Sequence, residues 1–294
     1  MDLDEMYRTY KPQLTAYAYR ILGTVTDAED AVQDVFVSVR RHDSALIEHP
    51  KAYLMKMVTN RSINLLKSAR RQKEVYPGNW LPEPDITLAA AEEPSEQLML
   101  RESFGYALLV LLQELTPGER AVYVLKESLG YAYDEIALML DKTEAACRKI
   151  FSRAKSKLGA FGSAESSPAA KPDAAEPYLQ AFAEGARTGQ FEPFLRLLTD
   201  DAVLIADGGG KVRTAINPIL GRERIAAFVA GLFAKGSYAG TFHPIRMSGQ
   251  PGLLLIRPDK MQALTFGYAE DGSIHSMYIV SNPDKLTHIH GTFR

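Results

Sequence analysis

Residues 115–158, LTPGERAVYVLKESLGYAYDEIALMLDKTEAACRKIFSRAKSKL, contain the pattern that decides the fold of the N-terminal half. The segment TPGE at 116–119 is a helix-capping signature, because a threonine cap is followed by proline in the first turn and by glutamate three residues on. A short helical stretch at 133–140 then precedes a turn and a basic helix that begins at Thr143. The order of helix, tight turn and basic helix predicts a helix-turn-helix.

The basic helix at 143–158 has two groups of candidate DNA-contacting residues. Residues near its N-terminus are placed to meet base edges in a major groove: Thr143, Glu144, Ala145 and Arg148. Basic residues further along suit phosphates, which position a protein without reading sequence: Lys149, Arg153, Lys155 and Lys157. The alternative is a protein-binding helix pair with a basic face.

Charge is segregated in the part of the chain that precedes this motif. Residues 51–73 hold seven basic residues and no acidic one, on a predicted helix. Asn60 and Asn64 lie one turn apart on that helix, so they share a face and offer donors and acceptors to bases. Together with the preceding loop, 42–50, this chemistry suits single-stranded or melted DNA. The helix predicted at 27–41 begins with an acidic segment, residues 27–34.

Bulk properties restrict the class of protein. A chain of 294 residues with 46% hydrophobic and 24% charged residues is typical of two or three globular domains. The single cysteine, Cys147, excludes an internal disulfide framework. No run of eighteen apolar residues and no secretory signal is present, so we expect a cytoplasmic protein with no membrane association.

Two segments read as linkers. Residues 76–95 hold four prolines and Trp80, the only tryptophan, and predict an extended linker whose indole docks on another surface. Residues 159–175 are small, polar and proline-containing, which predicts a flexible linker. Beyond it, helical patterns at 176–198 and 219–234 and strand-like runs at 202–206, 240–247, 253–257, 260–268 and 273–280 predict an α+β domain with a curved antiparallel sheet.

At this point the residues resemble a known family. DAEDAVQDVFVSV at 27–39, followed by PKAYLMKMVTNRSINLLKSARR at 50–71, resembles the region-two module of extracytoplasmic-function sigma factors. The segment 115–158 resembles their region-four module. The resemblance covers roughly residues 1–160, and the recognition helix departs from the commoner family residues at Cys147 and Ile150.

The resemblance implies partners and site residues. It implies that the acidic helix binds core RNA polymerase and that the two basic helices bind promoter DNA. The core-binding candidates are Asp27, Asp30, Gln33, Asp34 and Phe36. The candidates for the −10 element are Lys56, Asn60, Arg61, Asn64, Lys67, Arg70 and Arg71. The candidates for the −35 element are Thr143, Glu144, Arg148, Lys149, Arg153 and Lys155.

The C-terminal half resembles a subgroup of that family that carries a SnoaL-like domain. Three segments look like its signature motifs: WLPEP at 80–84, DGGGK at 207–211 and NPDKL at 282–286. The resemblance implies a SnoaL-like cone that modulates the sigma activity within the chain, so that no separate anti-sigma protein is needed. The expected domains are region two at 1–75, a linker at 76–95, region four at 96–160, a linker at 161–175 and the SnoaL-like domain at 176–294.

Two sets of C-terminal residues could instead have a chemical role, one in catalysis and one in metal binding. Some SnoaL-like relatives are enzymes with an Asp/His pair, for which Asp207, His243 and His275 are the candidates. We favour packed or surface side chains, and so no catalytic residue and no cofactor. His288 and His290 lack the spacing of a metal site, and no metal is expected.

We expect the DGGGK loop and the NPDKL segment to contact the sigma part of the chain, including the linker around Trp80. The predicted interdomain residues are Trp80, Leu81, Pro82, Asp207, Gly208, Gly209, Gly210, Lys211, Asn282, Pro283, Asp284, Lys285 and Leu286. Two other functions stay open. One is a helix-turn-helix repressor or activator fused to a pocket for an unidentified small ligand, and the other is a cyclase or isomerase with a DNA-binding appendage. The acidic helix and the asparagine-bearing helix favour the sigma factor, because a simple repressor needs neither.

Overall fold

The computed structural model of the chain describes residues 2–40, 47–74, 76–88, 105–161, 172–287 and 289. The described residues form two compact units. The first holds residues 2–40, 47–74 and 111–161, and the second holds 76–88, 105–110, 172–287 and 289.

Three long helices begin the first unit: α1 (Leu3–Leu22), α2 (Val25–Val39) and α3 (Pro50–Glu74). The Asp2 carboxylate caps α1 by accepting from the Glu5 amide at 2.7 Å, and Gly23 ends that helix in the left-handed conformation. Apolar residues at helical spacing face inward. The Tyr17 hydroxyl meets the Thr59 hydroxyl at 2.8 Å, which joins α1 to α3 in the buried interior.

The region that contains the predicted helix-turn-helix is helical as expected. It comprises α4 (Tyr106–Leu111), a 3₁₀ turn (Leu112–Glu114), α5 (Pro117–Tyr123), a π-helical turn (Val124–Ser128), α6 (Tyr133–Leu140) and α7 (Glu144–Phe161). The predicted capping box is confirmed, because Thr116 and Glu119 each accept from the other's backbone amide. Asp141 turns the chain between α6 and α7 with a φ of 51°.

Helices of both predicted DNA-reading modules pack together in the first unit. Helix α3 contacts α5 and α6, and the buried Arg120 guanidinium donates to the Ile21 carbonyl at 2.6 Å. Burial lowers the pKa of Arg120 to about 10. The sequence places these modules in separate domains, 1–75 and 96–160, whereas the structure groups them in one unit.

The second unit is an α+β structure. Its helices are α8 (Pro172–Thr188), α9 (Glu192–Leu195) and α10 (Arg222–Ala234). Its strands are β1 (Ile86–Leu88), β2 (Leu198–Asp207), β3 (Ile219–Leu220), β4 (Thr241–Met247), β5 (Gln250–Ile256), β6 (Met261–Tyr268) and β7 (Ile274–Val280), and a 3₁₀ turn at Pro283–Lys285 follows. Across the described residues, no helix has both the length and the apolar character that a membrane span requires.

The strands form one sheet in the order β1-β4-β5-β6-β7-β2-β3. The predicted sheet is antiparallel, whereas the observed sheet is mixed, because β2 pairs with β7 in parallel. The chain that separates those two strands contains a helix and four strands, which is long enough for a parallel crossover. Irregular pairing in β2 and between Gly267 and Tyr268 introduces bulges, which bend strands.

Aromatic rings fill the core of this unit. The ring of Phe182 on α8 lies within 6.3 Å, centre to centre, of five other rings: Phe191, Phe194, Tyr238, Phe242 and Phe266. Most of these contacts are edge-to-face, the arrangement that the charge distribution of aromatic rings favours. The helices are thereby packed tightly on the sheet.

Candidate nucleic-acid interface and linker anchor

Helix α7 exposes the face that the sequence predicts for duplex DNA. Its buried side consists of small and apolar residues, Cys147, Ala154 and Leu158. All six residues predicted to read the −35 element are exposed: Thr143, Glu144, Arg148, Lys149, Arg153 and Lys155. Cys147, one of the two departures from the family pattern, therefore belongs to the packing face and not to the exposed face that is predicted to meet DNA.

Arg148 is held at two points although it is exposed. Its guanidinium donates to the Glu144 carboxylate at 3.0 Å, one helical turn earlier. It also lies over the ring of Tyr133, with 4.5 Å between the guanidinium carbon and the ring centre. Sequence reasoning missed Tyr133, because it begins α6 and lies outside the recognition helix.

Helix α3 exposes its asparagines. Asn60, Asn64 and Lys67 face solvent on one side of the helix. Two of its cations are paired with carboxylates elsewhere in the unit, since Arg61 binds Asp34 of α2 at 2.6 Å and Lys56 binds Asp141 of the turn between α6 and α7 at 2.6 Å. Arg70 and Arg71 belong to α3, but their side chains lie outside the described part of the chain, as do residues 41–46 of the predicted base-holding loop.

Helix α2 presents most of the predicted polymerase-binding residues on one exposed face. Asp27, Asp30, Gln33 and Asp34 are exposed. Phe36 is different, because it is only 5% exposed and its ring packs edge-on against Tyr7 with 4.9 Å between ring centres. Phe36 therefore packs beneath this face and is not exposed on it.

The three C-terminal signature motifs converge on Asp207, the last residue of β2. Its side chain is fully buried and accepts four hydrogen bonds. The donors are the Tyr76 hydroxyl at 2.6 Å, the Leu81 amide at 2.9 Å, the Gly209 amide at 2.9 Å and the Lys285 ammonium at 2.7 Å. Such a set satisfies a buried carboxylate completely.

Lys285 completes this cluster, which we call the linker anchor: Tyr76, Trp80, Leu81, Asp207 and Lys285. The ammonium donates to Asp207 and to the Leu81 carbonyl, and it lies 4.2 Å from the centre of the Trp80 ring. Burial lowers the pKa of Lys285, while the Asp207 carboxylate acts in the opposite direction. The contact of the Trp80 ring with the buried Lys285 ammonium thus gives a physical reason for the expected docking of Trp80.

The three glycines of 207–211 allow close approach at three different points. A Cβ on Gly208 would lie 2.1 Å from the Val212 carbonyl oxygen, and one on Gly209 would lie 2.4 Å from the side chain of Asn282. A Cβ on Gly210 would lie 2.6 Å from the ring of Pro77. The loop therefore touches both the end of the sheet and the proline-rich segment.

The remaining predicted interdomain residues surround the anchor. Lys211 pairs with Asp284 at 2.6 Å on the exposed side, and the Pro82 carbonyl accepts from the Tyr106 hydroxyl at 2.6 Å. Leu286 is buried, whereas Pro283 is exposed. Residues 76–88 are accordingly part of the second unit and contribute strand β1, although the sequence predicts an extended linker at 76–95.

The candidate catalytic residues do not come together. Asp207 is engaged in the anchor, and His275 lies 3.7 Å from the exposed Asp201 near the other end of β7. His243 is on β4, three strands from β7 in the sheet, which corresponds to about 14 Å at ~4.8 Å per strand. His288 and His290 lie outside the described residues. Among the described residues, no group of three His, Cys, Asp or Glu is placed to hold a metal.

Comparison with known proteins agrees with this architecture. Residues 6–72 match the family model of sigma-70 region 2, and residues 106–158 match that of sigma-70 region 4. The chain is 28% identical to the ECF RNA polymerase sigma factor SigJ of Mycobacterium tuberculosis over 98% of this chain and 94% of that protein. It is 26% identical to the probable ECF RNA polymerase sigma factor SigI of the same organism, over 84% of this chain and 93% of that protein.

The fold extends this likeness to both units. The crystal structure of M. tuberculosis SigJ matches with a TM-score of 0.78 and 26% identity, over 97% of this chain and 98% of that chain. The fold and the exposed helices define a transcription initiation factor with sigma-70 regions 2 and 4. The chain contains both sigma-70 regions and is similar over nearly its whole length, in sequence and in fold, to the extracytoplasmic-function sigma factor SigJ. Sigma factors bind core RNA polymerase and promoter DNA and direct transcription.

Proposed function

We propose that this sigma factor is controlled in cis by its SnoaL-like domain, through the anchored segment 76–88. That segment follows α3 directly in sequence and precedes the region-four helices. The observation that carries the proposal is the linker anchor, in which the backbone of Leu81 is bound on both sides, by Asp207 and by Lys285. A connection held in this way restrains how far the helices that it joins can move apart.

The restraint matters because the two promoter elements are far apart. Their names place them about 25 base pairs from each other, which is about 85 Å at ~3.4 Å per base pair. Helices α3 and α6 pack in direct contact within the first unit. We infer that the arrangement described here is a closed state, and that the SnoaL-like domain biases the equilibrium between it and a promoter-reading state.

Within this function the exposed helices have separate roles. Asn60 and Asn64 on α3, with the cations of that helix, read the melted −10 strand, while the exposed residues of α7 read the −35 duplex. The acidic face of α2 binds core polymerase. These assignments are supported by exposure and charge, and by the family models that cover the three helices.

Control within the chain makes a separate anti-sigma protein unnecessary. The aromatic packing around Phe182 favours a domain that acts through protein contacts, since rings occupy the space next to α8. A small ligand is therefore not part of the proposed mechanism.

The test uses one glycine substitution and a matched control. Gly210 and Gly236 have almost the same φ, +70° and +66°, but a Cβ meets Pro77 at Gly210 and nothing within 4 Å at Gly236. Gly210→Ala and Gly236→Ala thus impose equal backbone strain, and only the first pushes the segment 76–88 away. We expect Gly210→Ala to change transcript yield several-fold relative to Gly236→Ala.

The readout is transcription by core RNA polymerase with the full chain, on templates with randomised upstream sequence. Trp80 fluorescence reports whether the anchor has loosened. If Gly210→Ala does not fold, Tyr76→Phe removes a single hydroxyl that bonds Asp207 and Asn282. Unchanged transcription in a variant whose Trp80 emission has shifted would refute control through the anchor. Deleting the whole domain is a weaker test, since it strips Leu81 and Tyr106 of their packing partners.

A further inference from the structure

The surface of the helix-turn-helix contains an aromatic stack with two cations. The ring of Tyr133 packs edge-on against Phe151 on α7, and Phe151 stacks on Tyr123 of α5. The Arg148 guanidinium lies 4.5 Å from the Tyr133 ring centre, and the Lys126 ammonium lies 4.9 Å from it. One side chain outside the recognition helix thus organises cations from two neighbouring segments.

We infer that Tyr133 is a positioning residue for base recognition, which holds Arg148 ready to bind a guanine of the −35 element. This inference rests on the proposed role of α7 as the −35 reader. Arginine recognises guanine by two parallel hydrogen bonds to O6 and N7, which require a defined orientation of the guanidinium. An arginine that is already ordered loses less conformational freedom when it makes them.

The contacts of Arg148 leave its donors available. Attraction to a ring face uses none of the five N–H groups of the guanidinium. The bond to Glu144 uses one terminal nitrogen. The ring and the carboxylate together restrain the side chain, which remains 60% exposed.

Lys126 has a different role on the same ring. Its ammonium also donates to the Tyr131 carbonyl at 3.2 Å, so it is tied to the turn before α6. A compact ammonium suits a phosphate, which gives affinity without reading sequence. Lys126 therefore provides a control cation that touches the same ring but does not determine base preference.

The experiment is selection of duplex DNA, randomised across the −35 element, by holoenzyme assembled from core polymerase and the full chain. We expect the wild type to prefer guanine at one position by roughly 5- to 150-fold. Arg148→Ala abolishes that preference. Tyr133→Leu, which keeps the apolar contact with Phe151, lowers it about two- to fivefold, and Tyr133→Phe retains it.

Lys126→Ala provides the matched comparison. It weakens binding to all sequences alike and reduces the salt dependence by about one phosphate contact, with the guanine preference unchanged. A guanine preference that is equal in Tyr133→Leu and the wild type overturns the inference, and so does a loss of selectivity spread evenly over all positions. A wild type that selects no sequence in this element refutes instead the proposed −35 role of α7.

Discussion

Two lysine–aspartate pairs, one in each unit, are similar in length and sequence separation but differ in burial. Lys56–Asp141 joins α3 to the turn of the helix-turn-helix at 2.6 Å, and Lys285–Asp207 holds the linker anchor at 2.7 Å. Their sequence separations are similar, 85 and 78 residues. The side chains are 39% and 74% exposed in the first pair but 9% and 0% exposed in the second.

Burial therefore decides what each pair does. Water screens the exposed pair and replaces either partner when it leaves, so the pair contributes little and opens easily. The buried pair cannot lose one partner without leaving a charge in a low-dielectric interior. The ion pair between α3 and the helix-turn-helix is consequently easy to break, whereas the one that holds the segment 76–88 is not.

Removing the Asp207 side chain is expected to have the largest effect on stability. Asp207→Ala leaves the Lys285 ammonium and the Leu81 amide buried without their partner, and we expect a loss of about 3–5 kcal/mol in the free energy of unfolding of the second unit. The measurement is denaturant unfolding followed by Trp80 fluorescence, since the sequence has a single tryptophan and it lies in the anchor.

Two further variants sharpen that result. Lys285→Met should cost less than Asp207→Ala, because Asp207 keeps three other donors, from Tyr76, Leu81 and Gly209. Lys211→Ala breaks the exposed pair with Asp284 and should cost no more than about 1 kcal/mol. Equal losses in Asp207→Ala and Lys211→Ala would contradict the role assigned to burial.

Breaking the exposed Lys56–Asp141 pair should lower the free energy of unfolding by less than Asp207→Ala does. For Lys56→Ala, Asp141→Ala and the double variant, we expect a coupling energy of about 0.2–1 kcal/mol, and less at high salt. Denaturant unfolding followed by helical circular dichroism at low and high salt measures it. A coupling of several kcal/mol would mean that this contact, and not the linker anchor, holds the closed state.

The smallest expected effect is a change in how stability depends on acidic pH. Burial acts to raise the pKa of Glu119, but hydrogen bonds from Lys157 and Thr116 outweigh it, so that the pKa lies below its ordinary value of 4.5. The stability that this carboxylate contributes is present above that ordinary value and is lost as pH falls through the lowered pKa. Glu119→Gln keeps a capping-box acceptor, so its melting temperature should fall less steeply with acid than that of the wild type.

The helical N-terminal half could be predicted because its signals lie close together in the sequence. The capping box at Thr116, the turn at Asp141 and the helical spacing of apolar residues depend on neighbours within a few positions. The exposed face of α7 followed from the same periodicity. Five strands of the second unit, β2 and β4 to β7, were also predictable from strand-like runs and turn signals, whereas β1 lies in the predicted linker and β3 in the helix predicted at 219–234.

The pairing of strands that are distant in the sequence could not be predicted. Residues 76–88 were predicted as an extended linker, and nothing near them indicates that β1 pairs with β4 far along the chain. The parallel pairing of β2 with β7 has the same cause. Tyr133 was missed because its contact with Arg148 depends on how two helices cross.

The pairing of β1 with β4 has a consequence for biosynthesis. Ile86 aligns with Met247, so the edge strand is made about 160 residues before its partner, an interval of about 8–32 s at ~5–20 residues per second. During that interval the segment 76–88 has no sheet to join. Once residue 161 has been made, the nascent chain has both predicted DNA-reading modules but no complete C-terminal domain, so the proposed restraint arises only when synthesis is nearly finished.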